Sequence, residues 1–284
     1  MTTIRIGGVP EHFNLAWYLA LKDGCFKRHG INLRWKDFYG GTGAMNLALR
    51  NHEIDMAVIL TEGIIKDIVD GNPSKIIQTY VQSPLIWGIH VGYNSKYQDI
   101  DALRHTKAAI SRFGSGSHLM AFINAQNNHW NLETDLQFEV VKDIDGAVKA
   151  LNNGRADYFM WERFMTKPLV DNKTFRHLGN CPTPWPSFVI AATDKALQNH
   201  EPEIKTIMAL INKTTSNFKA IPDIDKTIAK RYDQRQEDVK EWLHLTHWSQ
   251  AAVEPLVIRQ VQDVLLGVGI ISEQKPYERL VVKL

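Results

Sequence analysis

Cysteine is scarce in this chain: Cys25 and Cys181 are the only two among 284 residues. Thiols so far apart cannot supply a disulfide framework; the alternatives are a single bridge or two free buried thiols, and the second is expected. The four-ligand spacings of a zinc site are missing too, so no metal is expected. No apolar run is long enough to span a bilayer, which argues against stable membrane insertion. Met1-Thr2-Thr3 runs straight into the strand-like Ile4-Arg5-Ile6 without the apolar stretch of a secretory leader. The expected location is the cytoplasm, or the periplasm if a leader has been removed. Charge of one sign is lacking as well. Lys and Arg number 33 against 31 Asp and Glu, a formal net charge of +2 with the basic residues scattered. That excludes a nucleic-acid face and an electrostatic membrane anchor. There is no solenoid-period repeat and no low-complexity tract.

What remains is an ordinary globular composition, 44% hydrophobic and 23% charged, in a chain long enough for two cores. The first ninety or so residues alternate strand-like and helix-like segments. Strands are predicted over residues 4–9, 31–38, 54–60 and 76–81, and helices over 15–22, 44–50 and 63–69. The pattern restarts with strands at 107–110, 136–141 and 156–161 and helices at 117–127 and 144–151. A strand over 188–192 follows, and the rest, from Asp194, reads as helical. This order predicts an α/β fold of mostly parallel sheets flanked by helices. Residues 88–95 and 181–188 read as two hinge crossings. Lobe one is then 1–90 with 189–284, and residues 91–188 form an inserted lobe two.

Two Gly-rich turns stand where a strand should end and a helix begin. One is Gly40-Gly41-Thr42-Gly43; the other is Arg112-Phe113-Gly114-Ser115-Gly116-Ser117. Small residues at such a point leave the first helical N–H groups open to an anion or a carbonyl oxygen. The first turn lacks the Lys and Ser/Thr of a P-loop, and Asn46 stands where a dinucleotide fingerprint needs glycine. Neither turn therefore implies a nucleotide cofactor, and no cofactor is expected. A tight connection needing positive φ explains Gly41 and Gly43 equally well, and an N-cap explains Ser115 or Ser117. Arg112 would pair with a carboxylate, phosphate or sulfonate.

Other candidates sit at predicted strand ends, where open α/β sheets bind ligands. His12 and Phe13 follow the first strand, Thr61 and Glu62 the third, and Trp161 and Glu162 a strand of the second half. Among Phe13, Trp87, Trp161 and Trp185, the last two lie nearest strand ends and hinges and suit a flat heterocycle. Glu62 and Glu162 read either as carboxyl groups facing a ligand or as acids in a helix first turn, favoured by the helix dipole. His244 and His247 are expected on one face of a surface helix, with nothing to complete a metal triad.

These residues carry a family likeness. The order Ile6-Gly7-Gly8-Val9-Pro10, Gly24-Cys25-Phe26, Gly30-Ile31-Asn32-Leu33, Gly41-Thr42-Gly43 and Glu53-Ile54-Asp55-Met56-Ala57-Val58 resembles the type 2 periplasmic binding proteins. The resemblance is to the branch related to sulfonate, taurine and thiamine-pyrimidine binding proteins, including yeast and bacterial binding-protein-like members. It implies two α/β lobes that close by a hinge on a small molecule. Carried over by position, His12, Phe13, Gly41, Thr42, Gly43, Thr61, Glu62, Ser115, Gly116, Ser117, Trp161 and Glu162 would line the cleft.

The function expected from this is capture of a small polar, anionic or heteroaromatic molecule by a monomer. A transporter permease would be a partner only if the chain is exported. Two other classes stay open. One is an enzyme on the same scaffold, similar to the chorismate dehydratases or to the fungal thiamine-pyrimidine synthases. The latter depend on a cysteine-rich motif that two distant cysteines do not match. The other is a sensor whose closure a partner protein reads.

Overall fold

The computed structural model describes all residues, Met1–Leu284. In chain order the first elements are β1 (Thr2–Gly8), α1 (Leu15–Asp23), α2 (Cys25–Arg28), β2 (Ile31–Asp37), α3 (Gly41–Arg50), β3 (Met56–Leu60), α4 (Thr61–Val69), β4 (Ser74–Val81) and β5 (Ile86–Gly92). Next come β6 (Lys107–Ile110), α5 (Gly116–Asn127), β7 (Gln137–Val140), α6 (Ile144–Asn152), β8 (Tyr158–Glu162), α7 (Arg163–Asp171), β9 (Phe175–Pro182) and β10 (Phe188–Thr193). The chain closes with α8 (Asp194–Ser216), α9 (Ile224–Tyr232), α10 (Gln236–Leu245), α11 (Pro255–Gly267) and α12 (Tyr277–Leu280). It divides into two compact units. Unit 1 comprises Met1–Ser83, Trp185–Leu266 and Ile271–Leu284; unit 2 comprises Pro84–Pro184 and Gly267–Ile270.

Unit 1 is built on a five-stranded sheet of order β2-β1-β3-β10-β4. β1 pairs parallel with β2 and β3, whereas β10 runs antiparallel to both β3 and β4. Four strands therefore share one direction, and the single reversed strand sits second from the edge. β3 and β10 have almost no exposed residue, as expected of strands covered on both faces. The outer edge of β4 is covered rather than open. Thr79 N–H donates to Ala251 O at 2.9 Å, Gln82 N–H to His247 O at 2.8 Å, and Val282 N–H to Ile76 O at 2.9 Å. Such cover removes an unpaired strand edge. It also corrects the expectation for His247: α10 stops at Leu245, and His247 lies in an extended segment along β4. Gln78 of β4 and Asn212 of α8 exchange two side-chain hydrogen bonds, at 2.8 and 2.9 Å, which satisfies both amides. α8 is interrupted at His200 (φ −138°), two residues before Pro202, which has no N–H to continue the ladder.

Unit 2 repeats the plan on different residues. Its five strands run β7-β6-β8-β5-β9, with β6 parallel to β7 and β8, and β5 antiparallel to β8 and β9. The sheet needs two strands, β5 and β9, where the sequence suggested crossings and no strand at all. Phe175 to Pro182 reads poorly as a strand because Arg176, His177, Gly179 and Asn180 interrupt its apolar pattern. On one face Ala109, Val141, Ala147, Ala150, Phe159 and Phe175 form a core. Both cysteines are free, Cys181 buried and Cys25 partly so. No helix is long and apolar enough to cross a membrane.

The start of α6 is a tight spot. Asp143 caps it by accepting Gly146 N–H at 2.8 Å, and a Cβ on Gly146 would stand 1.8 Å from Val141 O. Asp143→Ala should therefore lower stability by about 1 kcal/mol. Gly146→Ala should cost about 2 kcal/mol or more, because the obstacle is backbone and cannot swing aside. Urea unfolding midpoints of the two variants check the order; equal losses would show that the close approach relaxes without penalty.

Candidate functional site

In unit 1 the connections leaving the carboxyl ends of β1, β2 and β3 come together. The β1 connection makes a short 3-10 turn, His12–Asn14. Tyr80 of β4 holds it by donating its hydroxyl to Phe13 O at 2.9 Å, and Tyr232 of α9 donates to Glu11 O at 3.1 Å. His12 is fully buried: it stacks on Phe13 at 4.9 Å and meets the edge of Trp242 at 4.2 Å. Neither ring nitrogen has a hydrogen-bond partner. Burial drives its pKa down to about 3, so the imidazole is neutral and offers one donor and one acceptor.

Phe13 packs on Phe188, the first residue of β10, with ring centroids 4.9 Å apart. Just before it, the segment 185–187 lies over the start of α4. Thr61 N–H donates to Ser187 O at 3.1 Å, Thr61 Oγ1 to Pro186 O at 2.6 Å, and the Trp185 indole N–H to Glu62 Oε2 at 2.9 Å. Glu62 is 2% exposed, and its second oxygen, Oε1, has no partner. Burial pushes the Glu62 carboxyl up to about 7, against the smaller opposing effect of its hydrogen bonds. The glycine turn joins the same place. α3 begins at Gly41 behind Gly40, which has no side chain to cap it. Thr42 presses on the first turn of α4, where a Cβ on Gly63 would stand 2.2 Å from Thr42 Cγ2. Asn46 Nδ2 donates to Gly63 O at 3.0 Å.

In unit 2 the second turn follows β6. Ser115 is the N-cap of α5, its Oγ accepting His118 N–H at 3.3 Å. Ser117 Oγ accepts Ser111 N–H at 2.9 Å, and Gly114 N–H donates to His118 Nδ1 at 3.1 Å. Both serine oxygens are thus engaged by the backbone, while Gly116 and Ser117 supply the first-turn amides. Arg112 is exposed at this turn, and partial desolvation lowers its pKa. Glu162, at the end of the neighbouring β8, caps α7 by accepting Met165 N–H at 2.7 Å. Trp161 is half-buried, stacked on Phe159 at 5.4 Å and packed against the unit 2 core.

The structure brings His12, Phe13, Thr42, Thr61, Glu62 and Trp185 together within unit 1. It sets Arg112, Ser115, Gly116, Ser117, Trp161 and Glu162 at adjacent strand ends of unit 2. Sequence reading missed Trp242 and Tyr232, which wall in His12 from helices more than two hundred residues away along the chain. It passed over Asn46 except as a missing glycine. Its spacing from Gly43 on one helix was the available signal.

Comparison with known proteins gives this arrangement a context. Residues 87–181, all within unit 2, match the sequence model of the Ca3427-like PBP family. The whole chain is similar to the CA3427 gene product of Candida albicans, which exhibits the generic periplasmic binding protein fold. The two are 27% identical, with a TM-score of 0.91 over 100% of this chain and 97% of that one. It shares its fold with the alkanesulfonate-binding protein SsuA of Xanthomonas axonopodis pv. citri bound to MOPS, at 15% identity, TM-score 0.84, and 100% and 99% coverage. The nitrate-binding protein NrtA of Synechocystis PCC 6803 gives 15% identity and a TM-score of 0.71 over 95% of this chain and 82% of that one. No curated protein sequence matches significantly.

The buried carboxyl of Glu62 makes stability depend on pH in a defined direction. Its folded pKa lies above its unfolded one, so the native state holds the extra proton between the two values, and stability falls as pH rises through that window to about 7. His12 has the opposite sign: its folded pKa is depressed to about 3, and stability falls as pH drops below the usual imidazole range. Comparison with Glu62→Gln isolates the carboxyl. Wild type should lose on the order of 2–4 kcal/mol relative to that variant between pH 4.5 and 8. Urea midpoints across this range measure it; parallel curves would mean that Glu62 is solvated.

Proposed function

We propose that this chain, a type 2 periplasmic-binding-protein-like protein, is a solute-binding protein. It captures a small polar, anionic or heteroaromatic molecule, and it acts as a monomer. One observation carries the reading: polar side chains at the carboxyl ends of the unit 1 strands are buried with hydrogen-bonding capacity left over. His12 has two unpartnered ring nitrogens and Glu62 one unpartnered oxygen. Buried polar groups are normally satisfied, and unfilled capacity clustered at strand ends suits a guest. Unit 2 by itself offers an anion the Arg112 guanidinium and the first-turn amides of α5.

An enzyme on this fold is the second reading, favoured by Glu62, whose pKa of about 7 suits a general acid or base. Thermal-shift screening followed by mass spectrometry separates the two. A hit recovered intact supports capture, and a hit consumed over time supports turnover. For an anionic hit, the double variant Arg112→Ala with Ser117→Ala should weaken binding by about 2–5 kcal/mol, because charge-assisted hydrogen bonds are lost. Isothermal titration checks this; unchanged affinity would remove the second turn from the site.

A further inference from the structure

Unit 2 has a concave site at the end of its sheet opposite the Ser115-Gly116-Ser117 turn. A cavity of about 540 Å³ opens where β5 ends at Gly92, and every residue lining it belongs to unit 2. Its volume is in the range of small-molecule sites. Asp157, on the cavity wall, immediately precedes β8 and accepts the N–H of Lys107, the first residue of β6, at 2.8 Å. The serine turn instead follows Ile110, the last residue of β6. About 13 Å of strand separates the start of β8 from its far end at Glu162.

The rim of this cavity is a held loop. Tyr93 N–H donates to Thr174 O at 3.1 Å, Ser95 N–H to Gly92 O at 2.9 Å, and Tyr97 N–H to Ser95 Oγ at 3.3 Å. Arg176 of β9 donates to Ser95 O at 2.9 Å, to Gln98 Oε1 at 2.5 Å and to Tyr97 O. All three acceptors are neutral, so the guanidinium fixes the loop and keeps its positive charge.

Charge on the wall is unbalanced in the same direction. Lys96 and Lys173 line the cavity, and neither pairs with a carboxylate. Their ammonium groups lie over the rings of Tyr97, at 5.1 Å, and Tyr93, at 6.0 Å. The one acid on the wall, Asp157, has both oxygens taken by neutral donors, the Tyr97 hydroxyl at 3.1 Å and Lys107 N–H. Helices α6 and α7 also end here, and open carbonyls at their C-termini would favour a cation. The chain closes those carbonyls itself. Ala150 O accepts Arg155 N–H at 2.9 Å, Leu169 O accepts Thr174 N–H at 2.9 Å, and Val170 O accepts Lys173 N–H at 3.1 Å. Uncommitted hydrogen-bonding capacity on the wall therefore belongs mainly to donors: the two ammonium groups and the amides of Asn94 and Asn152.

We propose that this cavity is a second ligand site, for a small phosphate monoester. The proposal does not rest on the solute-binding reading, and the site lies at the other end of the strands from the serine turn. A phosphate monoester carries close to two negative charges at neutral pH and three acceptor oxygens. Two ammonium groups with amide donors beside them match that set, and a monocarboxylate or a neutral molecule matches it less well. The cavity has room for more than the phosphate, and the Tyr93 and Tyr97 rings offer the ester substituent a flat apolar surface.

The test is isothermal titration of the intact chain with phenyl phosphate, glycerol 3-phosphate and inorganic phosphate, with benzoate and benzyl alcohol as singly charged and neutral controls. Wild type is compared with Lys96→Gln, Lys173→Gln, the double lysine variant and Arg112→Ala, each checked first for a wild-type circular dichroism spectrum and urea midpoint. Both lysines are exposed, so their replacement should leave the fold intact. The expected result is saturable binding of both esters, tighter for phenyl phosphate. It should weaken about 10-fold in each single lysine variant and about 100-fold in the double variant, with no change in Arg112→Ala. Equal affinity in wild type and the double lysine variant overturns the site, and a loss confined to Arg112→Ala assigns the anion to the serine turn instead. Benzoate binding as tightly as phenyl phosphate overturns the ligand class, and inorganic phosphate doing so removes the tyrosine surface from it. No binding of either ester at millimolar concentration overturns the proposal outright and leaves the reading of unit 1 untouched.

Discussion

Strand β10 is the constraint on which unit 1 depends. All six of its residues are buried, and it is hydrogen-bonded on both sides, antiparallel to β3 and to β4. Without it, β4 would have no partner in the sheet. A buried strand satisfies its N–H and C=O groups only if both neighbours stay in register, so the position of the residues leading into β10 is fixed by the core. Those residues are Trp185, Pro186 and Ser187, and they deliver an indole N–H and two carbonyl oxygens to the first two residues of α4. The polar chemistry of Thr61 and Glu62 is thereby set by hydrophobic packing a few residues away.

The two units handle comparable strand-end sequences in different ways. In unit 2 the hydroxyls of Ser115 and Ser117 turn inward to backbone N–H groups, and Glu162 caps the helix that follows it. These contacts stiffen the turn and leave Arg112 as its outward charge. In unit 1 the first turn of α4 has no side-chain cap, and Glu62 instead takes an indole from across the sheet. His12 is held by ring contacts alone. Leaving such groups without full partners costs free energy. The asymmetry is consistent with one unit that is polar and charged at its site and another that is acidic and aromatic.

Much of this architecture was legible in the order of apolar and small residues. The strand over Met56–Leu60 is a continuous apolar run, Gly24 takes the left-handed conformation that ends α1, and Pro276 stands at the head of α12, each where local rules place it. The strand-end residues were legible for the same reason, because a parallel sheet delivers them all to one edge. Strands β5 and β9 were not. Their pairing is antiparallel and long-range, and His177, Gly179 and Asn180 hide the alternation that β9 would otherwise show. The surroundings of His12 were hidden as well, since Trp242 and Tyr232 reach it only through tertiary packing. Nor does composition reveal that Glu62 meets Trp185, which depends on how β10 enters the sheet.

The shared strand order of the two sheets carries one more consequence. Each contains a single reversed strand, β5 in unit 2 and β10 in unit 1, but these lie at opposite ends of the inserted segment. During synthesis from the amino terminus, every strand of the unit 2 sheet has emerged by Pro182. The unit 1 sheet at that moment is still a gap with β4 waiting beyond it. The later sheet must hold its place open until β10 arrives, so the nascent chain passes through a stage in which the sheet of the inserted unit can be finished and that of its host cannot.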